Sequence, residues 1–187
     1  MTPSLLATRT DLLHTVQRLF TPKRVVELGV FKGAFSREIL AILRPAEFYM
    51  IDLWRGIVEC GDKDGLHVVK EDLSKVYREI LDEFRSTHET TIRVMRTDTL
   101  TGMELFSKAH PVDFVYVDAD HHYESVLADL HVCAAGGTMA IGGHDYCPMF
   151  EGTVRAVDEF CALRGWTMSH LTRDGCPSYL LLPGRAL

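Results

Sequence analysis

The stretch Arg24-Val25-Val26-Glu27-Leu28-Gly29-Val30-Phe31-Lys32-Gly33 decides the fold of this chain. A β-favouring apolar run ends in two glycines four positions apart, and a helical pattern follows at once over about 32–43. Gly29 permits a tight turn and close approach of the backbone to a ligand, while Gly33 lets the helix start pack closely. The spacing is not the G-x-G-x-x-G of dinucleotide folds, and an acid, Glu27, stands two residues before the first glycine. Without a pyrophosphate to cradle, that acid can pair with a ligand ammonium group. The plainer alternative is a glycine-containing strand–helix turn that binds nothing.

Outward from this unit the pattern repeats. Near-continuous apolar runs at 24–30, 48–53, 91–98, 112–120 and 138–145 read as strands buried on both faces of a parallel sheet. Helical patterns lie at about 32–43, 66–86, 99–109, 123–133 and 152–163. Alternation of this kind implies a doubly wound α/β domain spanning 1–187. The chain closes on two strands, about 166–172 and 178–182, turned by Arg173-Asp174-Gly175, which would add an antiparallel strand. Before the first strand, 4–20 has helical apolar spacing, with Pro22 as a stop signal. Residues 54–65 lack periodicity and read as a loop beside the ligand site.

Bulk properties narrow the function. At 187 residues, with 47% hydrophobic and 25% charged, the chain suits one globular domain. A formal net charge of −6, with no long run of Lys or Arg, argues against nucleic acid as a partner. No membrane-spanning apolar run and no signal-peptide pattern are evident. Cys60, Cys133, Cys147, Cys161 and Cys176 form no C-x-x-C pair. They read as reduced thiols, and the chain as cytoplasmic.

Two further strand ends carry acids. Asp52 follows Glu27 by 25 residues and could accept hydrogen bonds from two ribose hydroxyls, or cap a helix. Asp98 could accept from an adenine amino group, or cap the helix that follows it. The next two strands deliver Asp118-Ala119-Asp120-His121-His122-Tyr123 and His144-Asp145-Tyr146, which the fold should bring to one rim. In one reading Asp118 and Asp145 ligate a divalent cation, with His144 or Asp120 as further ligands and His121 as general base. In the other, Asp118 orders a cofactor or caps a helix, and the histidines make structural hydrogen bonds.

These motifs resemble the class I S-adenosylmethionine-dependent methyltransferases. Glu27-x-Gly29-x-x-x-Gly33 matches their first motif, Asp52 their ribose acid and Asp98 their adenine-side acid. The resemblance covers roughly 25–182 and implies a Rossmann-like sheet of seven strands, mostly parallel with a C-terminal antiparallel strand. It places Glu27, Gly29, Gly33, Asp52, Asp98 and Asp118 around S-adenosylmethionine. Asp113 to Leu130, followed by Gly142-Gly143-His144-Asp145-Tyr146 and by Gly152 to Phe160, is similar to small-molecule O-methyltransferases of the natural-product sugar and catechol types. For those the resemblance implies a divalent cation, Mg²⁺ or Mn²⁺, on Asp118, Asp145 and His144. Catechol-type relatives carry a catalytic lysine where this chain has His121. An imidazole ligand would tilt selectivity from Mg²⁺ towards Mn²⁺, Fe²⁺ or Zn²⁺.

The expected partner is therefore a small-molecule acceptor, with neither nucleic acid nor membrane; a homo-oligomer is left open. Rival readings are a metal-independent N-methyltransferase, a non-catalytic cofactor-binding module, and an NAD-dependent oxidoreductase, which the glycine spacing disfavours. Trp54 reads as a candidate wall of the site, and Tyr123 and Tyr146 as boundary aromatics. Arg155 and Asp158 read as a solvated helical pair. His67, His88, His110, His131 and His170 share no motif.

Overall fold

Val25 and Val26 go to opposite faces of one strand, and both are completely buried. Val25 joins Phe48, Met50, Phe114 and Tyr116 in one apolar cluster, and Val26 joins Tyr49, Ile51, Val115 and Val117 in the other. This period-two division is why the strand sequences are apolar without a break: each strand feeds two cores at once.

The structure is a computed structural model and describes residues 2–61, 68–85, 89–107 and 111–184. In chain order the strands are β1 (Ser4–Leu6), β2 (Arg24–Leu28), β3 (Glu47–Asp52), β4 (Ile57–Gly61), β5 (Val68–Asp72), β6 (Thr91–Arg96), β7 (Phe114–Val117), β8 (Ala140–Gly143), β9 (Trp166–Thr172) and β10 (Tyr179–Pro183). The helices are α1 (Arg9–Phe20), α2 (Ala34–Leu43), α3 (Leu73–Phe84), α4 (Thr99–Ser107), α5 (Tyr123–Ala135) and α6 (Glu151–Arg164).

The main sheet has the order β1-β9-β10-β8-β7-β2-β3-β6. Its neighbours pair in parallel except where β10 meets β8 and β9. This is the expected Rossmann-like doubly wound architecture with its antiparallel closing strand. The order reverses between β2 and β7, which opens a crevice beyond their carboxyl ends. Helices α1, α2 and α3 supply residues to the core on one face, and α4, α5 and α6 to the core on the other.

Four elements differ from the sequence reading. The sheet has eight strands, not seven, because Ser4–Leu6 pairs with β9 at the edge. The N-terminal helix accordingly begins at Arg9, where Thr8 and Asp11 form a capping box. Ile57–Gly61 and Val68–Asp72 pair as a two-stranded ribbon, β4 with β5, so the helix placed at 66–86 starts only at Leu73, with Asp72 as its N-cap. Arg155 and Asp158 are exposed, as read, but take other partners: the Arg155 guanidinium lies 3.8 Å from the centre of the Tyr123 ring, and Asp158 accepts from the Tyr146 hydroxyl at 2.7 Å. His67, His88 and His110 lie outside the described residues. Among the described residues no helix is long and apolar enough to cross a membrane.

Candidate functional site

The chain leaves β2 through Gly29, whose φ of +84° is a left-handed conformation suited to glycine. A side chain there would meet the Asp118 carbonyl oxygen at 2.0 Å, so Gly29 lets the turns after β2 and β7 touch. Gly33 serves packing of another kind: a β-carbon there would lie 2.8 Å from Ile80 and 3.0 Å from Phe84, both on α3. Phe31, Trp54 and Asp145 also hold positive φ values of 49°, 38° and 60°, just beyond β2, β3 and β8. Strained backbone of this sort gathers where a site needs a fixed shape.

Two cavities meet at this point. The larger, about 530 Å³, is lined by Gly29, Asp52, Asp98, Asp118, Asp120 and Asp129 among others. The smaller, about 290 Å³, is lined by Arg9, Glu27, Gly29, Phe35 and Asp118 among others. Gly29 and Asp118 border both, so the pair is a single trough bent at the sheet's reversal point.

Glu27 is 1% exposed and accepts a 2.5 Å hydrogen bond from the Ser36 hydroxyl. Burial pushes its carboxyl up to about 8; the Ser36 bond offsets part of that, and the charge of Asp118 adds to it. Asp52 accepts from the backbone N–H groups of Val30 and Phe31 at 2.9 Å each and of Trp54 at 2.8 Å. It thus pins the glycine turn while presenting its carboxylate to the larger cavity. Asp98 accepts from the Thr101 N–H at 2.8 Å, which holds its carboxyl below the usual range. It therefore caps α4 and lines the cavity together.

Two residues here escaped the sequence reading. Asp129, on α5, is 2% exposed, accepts from Thr99 and is raised to about 6 by burial. The available signal was an acid three residues after Val126 on a stripe that otherwise buries Leu130 and Cys133. Arg9 enters the smaller cavity from α1, a segment whose sequence carries no motif. Trp54, read as a wall of the site, is instead wholly interior, its indole N–H bonded to the Phe31 carbonyl at 2.9 Å.

Beyond β7 and β8, ligating atoms of Asp118, His121 and Asp145 all lie within 4.8 Å of one another. His121 Nε2 is 2.6 Å from Asp145 Oδ2, yet it is buried and makes no aligned hydrogen bond. Its ring stacks on Phe150 with centroids 4.4 Å apart. His144 adjoins this group without belonging to it: its Nδ1 lies 2.9 Å from Asp145 Oδ1, the other oxygen of that carboxylate, and 3.8 Å from Asp118 Oδ1. Asp120 is occupied by its own turn, accepting from the His121 N–H at 2.7 Å and contacting His122 Nδ1 at 2.7 Å.

Charge is finely divided within the cluster. Burial raises Asp118 to about 6, opposed by His144 and reinforced by Asp145. For Asp145 burial works the same way, but His121 and His144 outweigh it and hold the carboxyl far below its ordinary value. The nearby Asp145 carboxylate pushes His121 up against its partial burial. His144 also rises, because Asp145 and Asp118 together outweigh the opposing burial. Two carboxylate oxygens and a buried imidazole nitrogen without an aligned partner are a donor set that fits a divalent cation.

The fold has known counterparts. An O-methyltransferase from Bacillus cereus in complex with SAH superposes with a TM-score of 0.61 at 13% identity, covering 97% of this chain and 84% of that one. The O-methyltransferase NovP gives 0.58 at 19% identity, covering 95% and 80%. The N-methyltransferase NodS from Bradyrhizobium japonicum WM9 gives 0.60 at 13% identity, covering 95% of each chain. At these identities the likeness is one of fold. No curated protein sequence matches the chain. The model of the family described as "Methyltransferase domain" matches residues 26–145, from the interior of β2 to the acid after β8. That match spans the larger cavity, the smaller one apart from Arg9, and the acid–histidine cluster, so the chain belongs to this methyltransferase family, within the class I S-adenosylmethionine-dependent enzymes.

Proposed function

We propose that this protein transfers a methyl group to an oxygen of a small molecule, with a divalent cation held by Asp118, His121 and Asp145. The observation that carries the proposal is the convergence of those three side chains at the strand ends, bordering the trough through Asp118. His121, first read as general base, becomes a ligand here, and His144 becomes the residue that orients Asp145.

When bound, S-adenosylmethionine supplies a methyl group on a sulfonium leaving group. A cation at the cluster would supply Lewis acidity, lowering the pKa of an acceptor hydroxyl. The chain's own contribution is positional. Glu27 offers a buried acceptor for an ammonium group, and Asp52 and Asp98 offer acceptors along the larger cavity. The acidic lining of that cavity favours a positively charged ligand over a neutral one. Phe150 fixes the plane of the His121 ring, and with it the direction of Nε2. Holding donor and acceptor in line is a large part of what a fold can give to such a transfer.

A second reading rests on the 2.6 Å His121–Asp145 contact. There Asp145 orients His121 as a general base, and no metal is required. Assay of a panel of phenols, catechols and sugars with labelled S-adenosylmethionine separates the two. The metal reading expects product formation to fall at least about tenfold in EDTA and to return with Mg²⁺ or Mn²⁺. Turnover indifferent to EDTA but lost in His121→Ala would overturn it in favour of the base.

A further inference from the structure

We infer that Arg9 is the residue that grips the carboxylate of the cofactor's amino-acid end, acting opposite Glu27 as one half of a device that recognises a zwitterion. The inference rests on the S-adenosylmethionine reading of the trough and extends it to a residue outside the matched family segment, which begins at residue 26.

The alternation of β2 sends Glu27 to the same face as Val25, where α1 and α2 pack. On that face Glu27, Asp118 and Arg9 all line the smaller cavity. An α-amino acid carries an ammonium and a carboxylate on adjacent carbon atoms. A site for it therefore needs an anion and a cation a few ångströms apart, kept from neutralising each other. Glu27 and Arg9 meet that description: each borders the cavity, the Arg9 charge acts on the Glu27 carboxyl, and no ion pair within 4 Å joins them.

Arg9 is also held as a binding residue should be. Its guanidinium lies over the Phe35 ring at 4.6 Å, and its nearest carboxylate contact is Glu38 Oε1 at 3.9 Å, beyond hydrogen-bond length. Among the described residues no hydrogen bond engages the guanidinium, which leaves its planar donors for a bidentate contact. Its position is set from two directions. The Thr8–Asp11 capping box starts α1 at this residue, and the Arg9 N–H donates to Asp174 Oδ2 at 3.1 Å. The turn of the closing hairpin thereby anchors the first turn of α1. Lys32, the other cation on this cavity, leans over the Phe31 ring at 5.4 Å.

The test is calorimetric titration of three probes into the full chain and its Arg9→Met and Arg9→Lys variants. The probes are S-adenosylhomocysteine, its decarboxylated analogue, and 5′-methylthioadenosine, which lacks the amino-acid end. Arg9→Met is expected to weaken S-adenosylhomocysteine on the order of 10- to 100-fold and to leave the other two within about twofold. Arg9→Lys should recover part of the loss, since it keeps the charge but not the fork. Equal weakening of all three probes, or unchanged binding of S-adenosylhomocysteine, overturns the assignment. Failure of every probe to bind the unaltered protein overturns the cofactor reading itself, and the assignment with it.

Discussion

Replacing Glu27 with glutamine is expected to make the free protein more stable at neutral pH while weakening its hold on S-adenosylhomocysteine. The carboxyl is raised from 4.5 to about 8 by burial, so the fold favours its protonated form. That preference contributes stability that is complete below pH 4.5 and is lost progressively as pH rises to about 8. At pH 7, about 2.5 units above 4.5, the penalty is on the order of 3 kcal/mol at roughly 1.4 kcal/mol per unit. Glutamine keeps an acceptor for Ser36 and escapes it. Binding should show the reverse sign. A ligand ammonium beside Glu27 favours the carboxylate, so at pH 7 complex formation releases a proton. Affinity then rises between pH 6 and 8, and the binding enthalpy depends on the buffer. Denaturant titration and calorimetry in two buffers check both halves. Equal stability of the two proteins, or no buffer dependence in the unaltered one, would count against Glu27 as the ammonium partner.

Gly29→Ala should be among the most damaging single-methyl changes in the chain. A β-carbon there would sit 2.0 Å from the Asp118 carbonyl oxygen and 2.5 Å from the Ala119 α-carbon, at a φ of +84°. Both neighbours are backbone and cannot rotate away. Relief would require prising apart the ends of β2 and β7, where the Asp118 N–H donates to the Leu28 carbonyl at 2.7 Å. A loss above about 3 kcal/mol is expected, on the order of 10 °C in Tm. Gly137 has a similar φ of +74° but nothing within 4 Å, so Gly137→Ala isolates the backbone cost alone. Thermal unfolding should rank the two clearly, with Gly29→Ala the less stable.

The fold was legible because β2, β3, β7 and β8 are apolar on both faces, and such runs leave little choice but a covered parallel sheet. The closing hairpin was equally plain, its turn marked by Asp174-Gly175. What escaped were elements too short or too polar to carry a period. Ser4–Leu6 is three residues long and was absorbed into the amphipathic pattern of α1. The ribbon at Ile57–Gly61 and Val68–Asp72 flanks a charged stretch that masks its alternation.

At the site, the strand-end acids Asp52, Asp98, Asp118 and Asp145 were visible because polar residues interrupt apolar strands there. The division of labour between the histidines was not. Which oxygen of Asp145 each histidine takes depends on the positive φ of Asp145 and on the seat that Phe150 gives the His121 ring. Neither is a property of local sequence. Arg9 was hidden for a similar reason, since only the packing of α1 against α2 brings it to Glu27.

The most direct measurement is Mn²⁺ titration of the S-adenosylhomocysteine complex, with free Mn²⁺ followed by electron paramagnetic resonance. One ion is expected to bind per chain, and to be lost in Asp145→Ala and in His121→Ala while S-adenosylhomocysteine binding persists. Mn²⁺ that stays free at millimolar concentration, in protein that demonstrably holds S-adenosylhomocysteine, would contradict the metal-assisted mechanism and leave the His121–Asp145 base in its place.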